Sequence, residues 1–453
     1  MQVKDLINSY PYSIGLSTIF FVTTIIFLIL YLFFNDGNFN KVFYLFLLAS
    51  IAIISLQNGM ILVSKNTNLS ILKVDPSNIF FIFFIIFVLL SFTPFIYSDF
   101  SFQIPNPNYS GEELGLSFIR TYIFSSDSGI LFPFTIGIIL SFFFKNVKSG
   151  LTSNQYRKSI KNGLIFIELI IIFALILLLI KNLNNLSSHG FFVGSDSVVS
   201  KYQRPGNILF ILSIIYSFMH IHKVAYSLMT FKEIAISTVF FSLSMINAIL
   251  FGSNLGTLSI FVVALIHYSI VLQKTSRLNI KYPSCLVYKS TKKYIFGSIK
   301  IGLALMLAAL ILGLISYETL AETRLMRTWD HSLLSRLEIL RETFFLQIGH
   351  SPFLGNLFVH QIFEMKYPHS LLSLLSHLGM VGFFFFVILV SLIYRKISLP
   401  RVNGFSPFLK YEIISSYSIL LLTAVLMLCL ISSFFTWPPM IITLTLLMFS
   451  SAR

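Results

Sequence analysis

The feature that most limits what this chain can fold into is the recurrence of apolar runs of ~17 to 25 residues, the length that crosses a bilayer core. The first spans Ser13 to Phe34, and such runs return to the end of the 453 residues. With 56% hydrophobic residues and 50 Phe, the chain has far more of them than a soluble domain carries. It reads as an all-α, polytopic membrane protein. The runs mark twelve expected spans: 13–34, 42–63, 77–98, 129–144, 163–180, 206–222, 235–251, 255–272, 301–317, 371–394, 411–434 and 437–450. Residues 1–453 then form a single polytopic membrane domain. Met1 to Pro11 is polar and no small-residue cleavage site follows the first run, so that span is expected to remain as an anchor.

A net charge of +15 would suit a nucleic-acid partner if it were spread over one surface, but it is not. Half of the 32 Lys and Arg lie in three short connections, at 145–161, 273–300 and 395–410. Basic loops beside apolar runs follow the positive-inside rule. Twelve crossings that start inside place all three on the cytoplasmic side, so the bilayer is the expected partner and nucleic acid is not. The two cysteines, Cys285 in a basic loop and Cys429 inside a run, both avoid the outer side, leaving no disulfide framework.

The same count assigns the outer loops, of which 318–370 is by far the longest. Long connections in compact domains tend to be functional, so the chemistry is expected on the outer face. Within this loop Leu333, Leu337, Leu340, Phe344 and Ile348 recur at helical spacing and predict an amphipathic helix. Arg336 falls on the flank of that stripe and Arg341 near its centre. An interfacial helix whose arginines snorkel or pair with Glu338 and Glu342 is the plainer alternative for both.

His369 follows Tyr367-Pro368 and opens the next run. On a helix His369, Ser373, Ser376 and His377 share a polar stripe, which in a membrane faces other helices or a wet cavity. Headgroup contact is the alternative role for His369, and interhelical hydrogen bonding is the expected role for His377. Gly379 and Gly382 predict close approach of a neighbouring helix. A further candidate is Tyr202-Gln-Arg-Pro-Gly-Asn207, where Arg204 stands at the outer end of a span and Pro205-Gly206 leave the backbone open to an anion. The chain has no Asp-x-Asp pair, no phosphate-binding glycine loop of the Walker type and no Cys/His cluster at metal spacing. Metal-dependent and nucleotide-driven chemistry are disfavoured, and no cofactor is expected.

Taken together, RLEILRETFFLQIGHSPFLGN followed by PHSLLSLLSHLGMVG resembles the signature of the bacterial O-antigen polymerase and O-antigen ligase superfamily. In that family an Arg-led segment ends in a Pro-x-x-Gly turn, and a His-Asn/Ser pair opens a helix bearing Gly-x-x-Gly. Arg336, Pro352, Gly355, His369, Ser370, Gly379 and Gly382 fit in order, and YQRPGN resembles an outer arginine motif of the polymerases. Two departures stand out. The outer turn where family members carry Ser-Arg-Gly reads Gly252-Ser-Asn-Leu-Gly256, which leaves room for Arg204 to substitute. The gap from Ser370 to Gly379 is one residue shorter than usual.

The resemblance implies a GT-C-like bundle of about 12 spans, with one long periplasmic loop, in the bacterial inner membrane. It further implies polymerisation of undecaprenyl-diphosphate-linked oligosaccharide repeat units, with a chain-length regulator and a flippase as partners. In that reading Arg336, Arg204 and Arg341 meet the diphosphate, His369 is the base or orients the acceptor, and Ser370, Gly355, Gly379 and Gly382 support the site without metal. The alternatives are an O-antigen ligase acting on lipid A core, a glycosyltransferase using Asp36 as its base, and a polysaccharide flippase or other transporter. Asp36 is more simply a turn residue. Transport predicts charges within several spans or helices broken near the midplane, and the expected spans read as nearly free of charge.

Overall fold

The computed structural model describes residues 3–34, 76–90, 131–152, 157–189, 199–226, 231–251, 253–281, 344–355, 370–398, 408–432 and 437–450. Among them every regular element is an α-helix. In chain order these are α1 (Val3–Phe34), α2 (Pro76–Leu90), α3 (Leu131–Thr152), α4 (Arg157–His189), α5 (Val199–Tyr226), α6 (Phe231–Leu250) and α7 (Asn254–Lys281). There follow α8 (Phe344–His350), α9 (Ser373–Ser398), α10 (Phe408–Ser432) and α11 (Pro438–Ser450). Six of them, α4, α5, α6, α7, α9 and α10, are long and apolar enough to cross a membrane. The protein is a multi-pass α-helical membrane protein. Ten of the expected spans overlap these helices; those at 42–63 and 301–317 lie outside the described residues.

A backbone in hydrocarbon must satisfy its own polar groups, and a helix does so locally. The buried hydroxyls follow the same rule by bonding back to their own helices. Ser213 Oγ donates to the Leu209 carbonyl at 2.8 Å, and Thr443 and Thr445 donate to Pro439 and Ile441 at 2.7 Å. Polar residues thus survive inside runs that are otherwise Phe, Ile and Leu.

Helix α5 is the axis of the bundle and is buried from Pro205 to Ala225. It packs against α1, α3, α4, α6, α7, α10 and α11. Aromatic rings knit these contacts: Phe21 of α1 stacks on Phe143 of α3 at 3.8 Å, Tyr216 of α5 on Phe240 of α6 at 3.9 Å, and Phe144 of α3 meets Phe218 of α5 at 4.9 Å. Without a hydrophobic drive between helices in lipid, such van der Waals packing is a principal adhesive.

The helices run so that chemically different segments collect at opposite ends. At one end Ser415 Oγ, early in α10, donates to the Ile397 carbonyl late in α9, and Lys396 Nζ donates to the Met448 carbonyl near the end of α11. Arg395 and Lys396 in the last turn of α9 make this the basic end. At the other, Trp437 Nε1 donates to Asn207 Oδ1 at 2.9 Å, and the Leu371 amide donates to the Cys429 carbonyl at 2.9 Å. That joins the start of α5, the start of α9, the end of α10 and the start of α11.

Candidate functional site

The site end contains a break in α9. Gly379 adopts φ 64°, ψ −168° inside that helix, a left-handed setting that residues with a Cβ rarely adopt. The amides of Met380 and Val381 thereby lose the carbonyls four residues back that a continuous helix would offer. They find replacements upstream in the chain. Met380 N donates to the Pro352 carbonyl at 2.9 Å and Val381 N to the Phe353 carbonyl at 3.1 Å.

The accepting partner of this junction is the tight turn Ser351–Gly355 that follows α8. It is closed by the Gly355 amide on the Ser351 carbonyl at 3.0 Å and by Ser351 Oγ on the Gly355 carbonyl at 2.8 Å. Gly355 also has a positive φ, 71°. A Cβ on Gly355 would lie 2.4 Å from the Gly379 nitrogen, and one on Gly379 would lie 2.3 Å from the Phe353 carbonyl oxygen. The two glycines are therefore required by each other. The sequence predicted a neighbouring helix against Gly379 and Gly382; the neighbour at Gly379 is instead this turn, whose Pro352 and Phe353 carbonyls take up the exposed amides. At Gly382 the crowding atoms belong to Leu378 of the same helix.

The stretch before the break is polar and buried. Ser370 is buried, its Oγ accepts from the Leu372 amide at 3.1 Å and its carbonyl from the Ser373 amide at 2.9 Å, so it caps the entry to α9. Ser373, Ser376 and His377 are buried as well. His377 Nδ1 lies 2.7 Å from the Ser373 carbonyl and 3.0 Å from Ser376 Oγ. Both of these bonds lie within its own helix.

Helix α8 keeps the predicted stripe at its two described positions: Phe344 is buried and Ile348 half-buried, while Phe345 and Leu346 face outward. The polar Gln347 joins the inward side, at 0% exposure. Of the longer amphipathic helix, residues 333–343 lie outside the described residues. Arg336, Arg341 and His369 lie outside them too.

Arg204 stands in the second turn of α5, which begins at Val199 and continues through Pro205. The backbone beside it is not open to an anion, contrary to the sequence-based expectation. A Cβ on Gly206 would fall 1.9 Å from Ser253 Oγ, and one on Gly256 would fall 2.9 Å from the Gly206 Cα. Gly206 is spent on close packing against the turn between α6 and α7. Ser253 and Gly256 belong to the segment that lacks the expected arginine, so Arg204 lies within two residues of the backbone junction with it. The glycines that looked like access are the contact that sets this register.

A second polar cluster lies toward the basic end and was not anticipated. Lys223 Nζ of α5 donates to Glu168 of α4 at 2.9 and 3.1 Å, with both side chains wholly buried, and Glu233 of α6 approaches Lys223 at 3.9 Å. Nearly two helical turns along, Ser217 Oγ meets His267 Nδ1 of α7 at 3.0 Å, and the His267 ring lies 4.7 Å from that of His220. The lone Glu168 within an apolar run was the available signal. Its partner 55 residues away was not visible from spacing. Among the described residues no group of three or more His, Cys, Asp and Glu is arranged to hold a metal ion.

No protein-family model, curated protein or solved structure matches this chain. The functional reading rests on the residues and on the way the fold joins them.

Proposed function

We propose that this protein is a metal-independent glycosyltransferase that polymerises undecaprenyl-diphosphate-linked oligosaccharide repeat units, of O-antigen or a related surface polysaccharide, at the periplasmic face of the bacterial inner membrane. The observation that carries the reading is the junction of Pro352–Gly355 with Gly379–Val381. These are residues on which the resemblance rests, and they meet in space although they are far apart in sequence. The same end of the bundle holds the start of α5, with Arg204, and the cap of α9, with Ser370.

The chemistry asked of the site is modest. A diphosphate is already an acidic leaving group, so it needs cations for developing charge rather than a proton donor. An arginine fork matches phosphate oxygens. Arg336 and Arg204, with Arg341, supply that charge. His369 takes the proton of the acceptor hydroxyl near neutral pH, the sugar carbon bonds to that oxygen, and its bond to the diphosphate oxygen breaks. The about 12-span, GT-C-like topology with its periplasmic 318–370 loop belongs to this proposal, as do a chain-length regulator and a flippase as partners.

A transporter is the second reading, because Glu168 and Lys223 put charge inside the bundle and Gly379 interrupts a span. Both features argue less for transport than they first suggest. The two charges neutralise each other, and the amides released at Gly379 are taken up by the 351–355 turn. A ligase shares the same signature residues.

The decisive experiment is His369→Ala in the producing cell, compared with a complete deletion. Polymerase function predicts single capped units on lipopolysaccharide in both. Loss of a ligase leaves no units there, and loss of a flippase leaves lipid-linked units on the cytoplasmic side. Full-length polysaccharide from His369→Ala removes the histidine from the mechanism, and a normal product in the deletion removes the polymerase reading.

A further inference from the structure

Residues Phe344–Gly355 are turned inside out for a water-exposed loop. Helix α8 buries Gln347 completely and presents Phe345 (75% exposed) and Leu346 (61%), and the turn after it presents Phe353 (72%) and Leu354 (66%). In water such side chains would be covered and the glutamine solvated. A surface that shows phenylalanine and hides amide is arranged for hydrocarbon, where the polar group seeks protein and the apolar one seeks solvent.

Depth points the same way. The turn is bonded to α9 at Met380 and Val381, and Arg395 and Lys396 occupy the last turn of that helix, where cationic side chains mark a membrane interface. Gly379 precedes Arg395 by sixteen residues, or ~24 Å at 1.5 Å per residue, and a hydrocarbon core is ~30 Å thick. The junction therefore falls below the far interface, not above it. Non-helical backbone at that depth is tolerated only where protein satisfies it, and here α9 and the turn satisfy each other. Helix α9 itself exposes an apolar face, formed by Met380, Phe384, Val387 and Ile388.

We propose that Phe344–Gly355 is a re-entrant segment seated in the bilayer, with Phe345, Leu346, Phe353 and Leu354 in contact with lipid acyl chains. The segment thus dips from the outer loop into the bilayer and forms a lipid-facing lip at the start of α9. The inference needs only the multi-pass bundle and is independent of the glycan-transfer reading.

Nitroxide labelling of Phe353→Cys and Phe345→Cys tests it, in full-length protein carrying Cys285→Ser and reconstituted in phosphatidylcholine–phosphatidylglycerol vesicles. Cys429 is buried and stays. Collision rates with oxygen and with a water-soluble nickel chelate are compared with those at Phe384→Cys on the lipid face of α9. Oxygen is expected to dominate at both sites, as at Phe384. Dominance of the nickel chelate overturns the proposal in favour of an aqueous loop. Low rates with both reagents overturn it too, since protein would then cover the segment. If one variant fails to fold, as judged by its melting profile, the other decides alone.

Discussion

Gly355 and Gly379 meet backbone to backbone, each with a positive φ and each leaving no room for a Cβ on the other. This contact joins a turn to a membrane helix at the point where the helix has freed two amides. It fixes the end of α8 relative to the entry of α9.

Gly355→Ala and Gly379→Ala should each lower thermal stability, because a left-handed alanine alone costs of order 1–3 kcal/mol and the clash adds to it. Gly163→Ala is the control, since a Cβ there meets nothing within 4 Å and alanine favours the helix. Melting curves in one detergent should separate the pair from the control. Wild-type melting of Gly355→Ala would show that the turn does not dock as described.

Lys223→Met should destabilise strongly, because it leaves Glu168 buried beside Glu233 without its cation. Removing one partner of a buried pair costs ~3–5 kcal/mol. Adding Glu168→Gln to Lys223→Met should recover part of the loss. A double variant no better than the single one in thermal unfolding would mean that the pair is not coupled.

Arg336→Lys should lose most chain extension, since a point charge does not reproduce a bidentate fork, while Arg341→Lys should be tolerated. Polysaccharide length on gels, at matched protein levels, reads both. Equal behaviour of the two substitutions would contradict their assignment to different faces of the helix.

Single cysteines at 153, 285 and 403, in the basic connections, should be shielded from an impermeant thiol reagent in intact spheroplasts, and one at 328 should label. Labelling at 153 would reverse the orientation proposed for the site.

The sequence by itself determined that this chain is a bundle of membrane helices, because the length and purity of an apolar run is a local property that sets a local structure. It also determined where the basic connections lie, and it singled out Pro352, Gly355, Gly379 and Gly382 as residues of consequence. What each glycine does was decided by tertiary structure alone. The break at Gly379 depends on carbonyls that Pro352 and Phe353 supply from another segment, and Gly206 is closed by Ser253 rather than open to an anion. Glu168 could be seen as an acid in an apolar run, but its neutralisation by Lys223 on another helix could not. Nor could the burial of Gln347, because helical spacing ranks faces by apolarity and does not say whether lipid or water lies outside. Local pattern fixes the helices; which groups meet between them depends on packing that no single segment encodes.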